Sequence, residues 1–259
     1  FELWKSNIVE TAAVYPGEAN HHNSFFAQAK DNAGNQEPIK GIAEASTFIF
    51  IPGLPVSLNL SAEPTSLVAD GTSNSLITAT VLDGGGSLAA NVVVTFTASS
   101  GSVSPITATT DLSGTAWVSF TTPTLAGNAL ITATTGNLTS TVNLPLTAGA
   151  PATITLSSLP TTLVANGATS STLSASVVDA FNNPTPGVEV SLSSLLGSVT
   201  PITATTDSAG TITATFTSGT QAGSALITAT AASATAATSI TLTAGAPTTL
   251  TVTTQPDTL

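Results

Sequence analysis

The sequence has 259 residues, of which 41% are hydrophobic and only 7% are charged, and its formal net charge is −11. All three basic residues precede position 41, and residues 53–259 contain eight carboxylates but no Lys, Arg or His. Because phosphate backbones and anionic lipids are bound through Lys and Arg, this balance excludes binding to nucleic acid and to an anionic membrane surface.

The first 52 residues contain the pattern Phe25-Phe-Ala27-Gln-Ala29-Lys-Asp31-Asn-Ala-Gly34-Asn35. It resembles the last hairpin of a fibronectin type III-like domain, in which an aromatic and two small residues alternate before an Asp…Gly-Asn turn. Phe25 stands where that strand usually has Tyr, so the hydroxyl of the usual corner bond is missing. The resemblance covers only the back half of such a domain. Residues 1–52 are therefore predicted to form a partial fibronectin type III-like or immunoglobulin-like domain.

An internal repeat organises the rest of the chain. A shift of 96 residues places 53–148 on 149–244 without a gap, and about 43 of the 96 positions are identical. Residues 101–111 recur as 197–207 with one substitution, and a further copy opens at Gly245. The sequence thus predicts a first repeat at 53–148, a second repeat at 149–244, and the first strand of another repeat at 245–259.

Each copy is predicted to contain about seven short strands, because apolar residues alternate with Thr and Ser along it. Turn residues such as Asp83-Gly-Gly-Gly separate the strands. The junction at 146–151 contains Pro151 and no flexible Gly/Ser linker. The pattern predicts an all-β fold of tandem immunoglobulin-like β-sandwiches forming an elongated rod. The alternating apolar residues of the first copy are Leu58, Leu60, Ile77, Ala79, Val81, Val92, Val94, Phe96, Ala116, Val118, Phe120, Leu130, Leu144 and Leu146, and the second copy has apolar residues at matching places, including Leu226.

Both copies contain Thr-Asp-x-x-Gly-Thr-x-x-x-x-Phe-Thr followed by Ala-Gly-x-Ala-Leu-Ile-Thr-Ala-Thr. This pattern resembles the bacterial immunoglobulin-like repeats of invasin and intimin, and the resemblance covers residues 53–259. It implies a stalk segment of a surface adhesin, extracellular and on a bacterial cell, which holds a binding tip away from the surface. No lectin-like tip is visible in the sequence, so receptor binding is not implied for these residues.

The sequence offers no group of residues suited to catalysis. There is no Cys, the two histidines His21 and His22 lie in a polar segment, and the seven carboxylates of the two repeats are widely separated. Catalysis requires a positioned base, acid or nucleophile, so the protein is predicted not to be an enzyme. No apolar run is long enough to span a membrane.

Five aspartates are the candidate metal ligands. Asp favours turns because its side chain accepts hydrogen bonds from nearby backbone N–H groups, and this interpretation is preferred. The alternative is Ca²⁺ held near the module junctions by carboxylates and carbonyls; no other cofactor is predicted. The five residues are Asp31, Asp83, Asp111, Asp179 and Asp207.

Two residues break the polar pattern of the outward positions in the first repeat. Trp117 matches Thr213, and Val93 matches Glu189. Isolated exposed apolar residues are ordinary. The alternative is a lateral contact, either with another rod or with a sugar stacked on the indole.

The function predicted from these features is that of an extracellular structural protein, either the stalk of a cell-surface adhesin or the subunit of a surface fibre. The alternative is a glycan-binding accessory module of a secreted protein. The predicted partners are other copies of the chain or the rest of a longer surface polypeptide, with a glycan as the alternative ligand.

Residues 248–254 alternate Thr with Leu250 and Val252 and are predicted to form one strand. An unpaired strand can add to the sheet of another chain. The tail would then complete the half-domain of a neighbouring copy, where Phe25, Ala27 and Ala29 leave an apolar face. The preferred interpretation is that both partial segments belong to a longer polypeptide.

Overall fold

The computed structural model describes residues 21–31, 33–38, 42–49 and 53–253. These residues form twenty β-strands and no helix, which confirms the predicted all-β fold. No helix in this part of the chain is long and apolar enough to cross a membrane.

A two-stranded hairpin is the structure described within residues 1–52. Strand β1 (His21–Phe25) pairs antiparallel with β2 (Ala45–Ile49), and a turn capped by Asp31 lies between them. Phe25 is half-buried, whereas Ala27 and Ala29 are exposed. The predicted fibronectin type III-like half-domain includes residues 1–20, which lie outside the described residues.

The first repeat contains nine strands in two sheets. A four-stranded sheet has the order β3-β5-β9-β7, and a five-stranded sheet has the order β4-β11-β10-β6-β8. The strands are β3 (Pro55–Glu63), β4 (Leu67–Val68), β5 (Asn74–Asp83), β6 (Val93–Ala98), β7 (Ser102–Ser104), β8 (Thr107–Thr109), β9 (Thr115–Thr121), β10 (Gly127–Thr135) and β11 (Leu138–Thr147).

The second repeat contains the same nine strands at matching positions. Its sheets have the orders β12-β14-β18-β16 and β13-β20-β19-β15-β17. The strands are β12 (Thr153–Leu159), β13 (Thr162–Val164), β14 (Ser170–Val178), β15 (Glu189–Ser194), β16 (Ser198–Thr200), β17 (Thr203–Thr205), β18 (Thr211–Thr217), β19 (Gly223–Ala231) and β20 (Ala234–Thr243).

Period-2 alternation along the strands accounts for the core. In β18 the side chains of Ile212, Ala214 and Phe216 are buried and the intervening threonines face outward. Buried residues from both sheets of the second repeat form one cluster, so the two sheets pack face to face. Thr suits the outward positions because its branched Cβ favours strands while its hydroxyl stays hydrated.

The predicted inward placement of Leu130 and Leu226 is wrong. Their side chains are 44% and 45% exposed, and their neighbours Ala129 and Ile131 are fully buried. Ala129, Ile131 and Ala133 share one parity and are buried, whereas Leu130 shares the other parity with threonines and turns outward. The strict period of two along a strand therefore places Leu130 on the outer face.

The chain divides into two compact units. The second unit contains residues 144–259, which include the whole second repeat, together with Thr65–Asn74 and Thr121–Ala129 of the first repeat. The segments that join the two repeats therefore lie within a single unit.

The described end of the chain forms no strand. Residues 244–253 have no regular structure, and Leu250 and Val252 are 90% and 80% exposed. The strand predicted at 248–254 is therefore wrong over 248–253, and residue 254 lies outside the described residues. A single alternating segment has no sheet of its own in which to bury its apolar positions.

Candidate functional site at the junction between the repeats

A tight turn after β14 forms one side of the junction. The Asp179 N–H donates to the Asn183 carbonyl at 3.0 Å, and the Asn182 N–H donates to the Asp179 carbonyl at 3.2 Å. Asn182 has φ +66°, a left-handed conformation that Asn tolerates better than most residues. This conformation folds the chain back so that Asn183 points into the junction, where it is 1% exposed.

Asn183 connects this turn to the loop between β9 and β10 of the first repeat. Its Oδ1 accepts a hydrogen bond from the Ala126 N–H at 2.8 Å. Its Nδ2 donates to the Thr124 carbonyl at 2.8 Å and to Asp179 Oδ2 at 2.9 Å. Both amide hydrogens and the amide oxygen are therefore engaged, which fixes the orientation of the side chain.

The Asp179 carboxylate binds the backbone of its own turn and also the linker. Its Oδ1 accepts the N–H groups of Phe181 at 2.8 Å and Asn183 at 2.9 Å. Its Oδ2 accepts the Gly149 N–H at 2.9 Å. The residue is 2% exposed. Burial alone raises the pKa of Asp179, but the hydrogen bonds from Asn183, Gly149 and Phe181 stabilise the anion and leave its pKa below the ordinary value.

The matching turn in the first repeat has the same backbone but lacks the amide. The Asp83 N–H donates to the Ser87 carbonyl at 2.9 Å, and Gly86 has φ +77°, where Asn182 lies in the second repeat. Asp83 Oδ2 accepts the Gly53 N–H at 3.1 Å, as Asp179 accepts that of Gly149. Ser87 occupies the position of Asn183. The two turns thus have the same backbone conformation. They differ in the residue at the bridging position, which is Asn183 in the second repeat and Ser87 in the first.

An open cleft of about 540 Å³ lies beside the linker. Its lining is apolar or hydroxylic, with Leu146, Pro184, Pro186 and Val188 among the larger side chains, and it contains no ionisable residue. The cleft therefore supplies neither a general acid nor a general base.

Two family models match the two repeats. Residues 150–245 match invasin, domain 3, and residues 57–147 match the bacterial Ig-like domain (group 1). The two repeats are bacterial immunoglobulin-like domains of the invasin type. The resemblance predicted from the sequence for these residues is confirmed.

Three solved structures of invasin-type proteins are similar to parts of this chain. The D0 and D1 domains of intimin are 28% identical over 73% of this chain and 98% of that chain, with a TM-score of 0.33. InvD of Yersinia pseudotuberculosis is 24% identical over 76% of this chain and 60% of that chain, with a TM-score of 0.54. Invasin, described as a bacterial integrin-binding protein, is 25% identical over 73% of this chain and 40% of that chain, with a TM-score of 0.41. No curated protein matches the sequence.

The five candidate aspartates all lie in turns. Each carboxylate accepts hydrogen bonds from backbone N–H groups of its own turn. In the invasin-type repeats Asp111 binds Ser113 and Thr115, and Asp207 binds Ala209 and Thr211. These hydrogen bonds hold each carboxylate against the backbone of its own turn. Within the described residues no three His, Cys, Asp or Glu side chains lie close enough together to hold a metal ion. The hydrogen bonds support the turn interpretation of these aspartates, and Ca²⁺ binding stays a prediction.

Trp117 and Val93 do not form a common surface. Trp117 lies on β9 of the four-stranded sheet and is 53% exposed, whereas Val93 lies on β6 of the five-stranded sheet and is 59% exposed. One flat lateral contact cannot include both residues, because they belong to opposite sheets of one repeat. The lateral contact remains a prediction for each residue by itself.

Asn183 was not among the residues predicted from the sequence. It lies in a polar turn, Asp179-Ala-Phe-Asn-Asn183, that alternation marks only as a loop. The available signal was the comparison of the copies: the turn recurs with the same Asp, but the residue four positions later changes from Ser87 to Asn183. Because more than half of the aligned positions differ between the two copies, this substitution alone does not mark Asn183 as a bridging residue.

Replacement of Asn183 by Ser is expected to loosen the junction. Ser cannot reach the partners of the amide, so the Ala126 N–H and the Thr124 carbonyl lose their hydrogen bonds, which costs about 1–3 kcal/mol. We expect faster hydrogen exchange at the Ala126 amide, measured by NMR. Asn182→Gly is the matched control, since Gly occupies that position in the first repeat and the junction bonds stay intact. An unchanged Ala126 rate in Asn183→Ser would contradict the assignment.

Acid is expected to destabilise the invasin-type repeats. The N–H groups of Ser73 and Thr72 hold the pKa of Asp70 well below its usual range, and the Thr211 N–H and hydroxyl lower the pKa of Asp207. A lowered folded-state pKa stabilises the fold above the unfolded value of about 3.9, and this stabilisation is lost as the pH falls below it. Denaturant unfolding should give a similar free energy at pH 7 and pH 5 and a lower one at pH 3. A stability that is unchanged at pH 3 would contradict this.

Proposed function

We propose that this chain is a stalk segment of an adhesin on the bacterial cell surface. The observation that carries the proposal is the hydrogen-bonded junction between two invasin-type repeats, in which Asn183 and Asp179 bind the preceding repeat and the linker. A stalk needs consecutive modules that do not rotate freely about their linker. The hydrogen bonds of Asn183 to the preceding repeat and of Asp179 to the linker restrict this rotation. The function is structural and extracellular, and it requires no catalytic residue.

The strand pairing at the end of each repeat supports a load-bearing role. In the second repeat, strand β13 lies near the beginning of the repeat and β20 is its last strand. The two strands pair in parallel, with Thr162 opposite Thr241, Leu163 opposite Leu242 and Val164 opposite Thr243. Pulling the two ends of a repeat apart moves parallel neighbouring strands in opposite directions along their length. The hydrogen bonds between them are then loaded together in shear instead of one after another. The first repeat has the same parallel pair between β4 and β11.

The proposal places receptor recognition outside these repeats. Invasin is described as integrin-binding, and a fragment of intimin has been solved with the translocated intimin receptor. A stalk would instead hold a binding tip of the same surface polypeptide away from the cell. The partner proposed for these repeats is therefore the rest of that polypeptide, in preference to separate copies of the chain.

Single-molecule pulling tests the structural role. Each repeat of 96 residues extends to about 340 Å at roughly 3.5 Å per residue, so we expect two unfolding events that each release about 300 Å. Ala165→Pro removes the N–H that donates to the Thr243 carbonyl at 2.9 Å, and it should lower the force of one event. The first repeat in the same molecule is the control. A gradual extension without two discrete events would contradict the stalk function.

A glycan-binding module is the second candidate, favoured by the exposed indole of Trp117. A tryptophan that is 53% exposed on a sheet face can stack on the apolar face of a sugar ring. A glycan array tests this with the wild-type chain and with Trp117→Thr, which copies the second repeat at Thr213. Binding that the substitution abolishes would support the second candidate. An array without bound glycans would reject it.

A further inference from the structure

The far end of the second repeat has the same loop that Asn183 binds at the far end of the first. Residues 123–127 read Pro-Thr-Leu-Ala-Gly and residues 219–223 read Gly-Thr-Gln-Ala-Gly. Gly71 donates to the Pro123 carbonyl at 3.2 Å, and Gly167 donates to the Gly219 carbonyl at 3.2 Å. Gly127 and Gly223 have φ of +151° and +156°. The second loop therefore adopts the conformation of the first although no module is bound to it.

The linker also leaves both repeats in the same way. A Cβ built on Gly149 would lie 3.7 Å from Val68 Cγ1, and one built on Gly245 would lie 3.8 Å from Val164 Cγ1. Gly245 thus stands against the second repeat as Gly149 stands against the first. In the first junction the Gly149 N–H is the group that the Asp179 carboxylate binds.

Three polar groups at this end have no partner among the described residues. They are the Thr220 carbonyl, the Ala222 N–H and the Gly245 N–H, which match the groups at Thr124, Ala126 and Gly149 that Asn183 and Asp179 bind. Ala222 is exposed, whereas Ala126 is half-buried. The Thr220 carbonyl and the Ala222 N–H can bind a side-chain amide, as an acceptor and a donor respectively. The Gly245 N–H can donate to a carboxylate.

From this three-point match we infer that the end of the second repeat, formed by 219–223 and Gly245, is a preformed docking site for an Asp-x-x-x-Asn turn of a further module in the same polypeptide. Gly245 belongs to the linker itself, so the carboxylate that binds it comes from the module that the linker leads into. A turn with Ser in place of Asn, like that at Asp83–Ser87, supplies the carboxylate but not the amide. The side chain at the last position of this turn, Asn or Ser, therefore determines which modules form the amide hydrogen bonds to the preceding repeat.

A second copy of this chain does not fit the docking site. In a second copy of this chain, Asn183 is already bonded to its own first repeat, and the first repeat carries Ser87. Neither turn of a second copy can supply a free amide. The site is therefore specific for a covalently following module and does not join separate chains.

An extended chain tests the inference, which rests on the proposed stalk function for its setting but is measured independently of it. A copy of residues 149–244 is inserted after Ala244 in the full chain, so that the copied turn falls 96 residues after the original. A second version carries Ser at the copied Asn position. Hydrogen exchange at the Ala222 amide is measured by NMR in both versions and in the unextended chain.

We expect Ala222 exchange to slow about tenfold or more in the version with Asn, because a bonded amide exchanges only when the junction opens. The version with Ser should exchange at the rate of the unextended chain. Equal protection in both extended versions, or in neither, would overturn the inference. Protection that depends on protein concentration would overturn the assignment to a module of the same polypeptide. A failed pulling experiment would reject the stalk function without changing these rates, so the two failures are distinguishable.

Discussion

Replacement of Phe216 by alanine is expected to lower the free energy of unfolding of the second repeat by about 3–5 kcal/mol. Phe216 is fully buried in the centre of the core, and its neighbours across the sheet are Ser171 on β14 and Val199 on β16. A Cβ built on Gly197 would lie 2.7 Å from Phe216 Cζ, so the ring fills the space above that glycine. Alanine would leave a cavity that the two hydrogen-bonded sheets cannot close.

Phe181→Ala provides the control for this substitution. Phe181 lies in the same repeat but is 46% exposed, and its N–H, which binds Asp179, is kept by alanine. We expect its free energy of unfolding to change by less than about 1 kcal/mol. Denaturant unfolding of both variants, followed by fluorescence or circular dichroism, measures the difference. Equal losses in the two variants would show that Phe216 does not anchor the core.

Replacement of Gly210 by alanine is expected to cost about 3 kcal/mol, the sum of backbone strain and overpacking. Gly210 has φ +71°, a conformation that costs a residue with a Cβ about 1–2 kcal/mol. A Cβ there would also lie 2.6 Å from the Val177 carbonyl oxygen and 2.9 Å from the Thr185 nitrogen. These are backbone atoms that cannot move without breaking the bond from Thr185 to Val177, and overpacking of this kind adds about 1–3 kcal/mol.

Gly187→Ala separates the two causes. Gly187 has φ +74°, but a Cβ on it would meet no atom within 4 Å. Its substitution should therefore cost only the backbone strain, about 1–2 kcal/mol. The difference between the two variants in thermal or denaturant unfolding measures the cost of the close approach at Gly210. If the two losses were the same, the packing against Val177 would not matter.

Alternation and repetition predicted the fold because both follow from the geometry of a strand. The residues of β18, Ile212 to Phe216, alternate cleanly with threonine and are buried as predicted. Prediction failed at Leu130 because the whole apolar run was assigned to the core, although the buried alanines and isoleucine beside Leu130 share the opposite parity. It also failed for the tail at 248–253, where an alternating pattern has no neighbouring strand to pair with.

The junction was harder to predict because it depends on contacts between segments distant in sequence. Asn183 and Ala126 are 57 residues apart, and neither the polar turn nor the short loop carries a pattern of its own. The turn aspartates, by contrast, were predictable, since the bonding of an aspartate carboxylate to N–H groups a few residues later is a property of the turn alone. Asp179 combines both cases: its local bonds follow from the turn, but its bond to Gly149 does not.

The register of the repeats has a consequence for how such a chain grows by recombination. Residues 101–111 and 197–207 are nearly identical, and unequal crossing-over between the DNA segments that encode them would duplicate residues 102–197 as one block. That block carries both the Thr124–Ala126 loop and the Asn183 turn that binds it. Every copy added in this way would enter the array with a complete junction on each side, and every copy deleted would remove a loop and its matching turn together. Length can therefore vary between lineages without producing a mismatched joint.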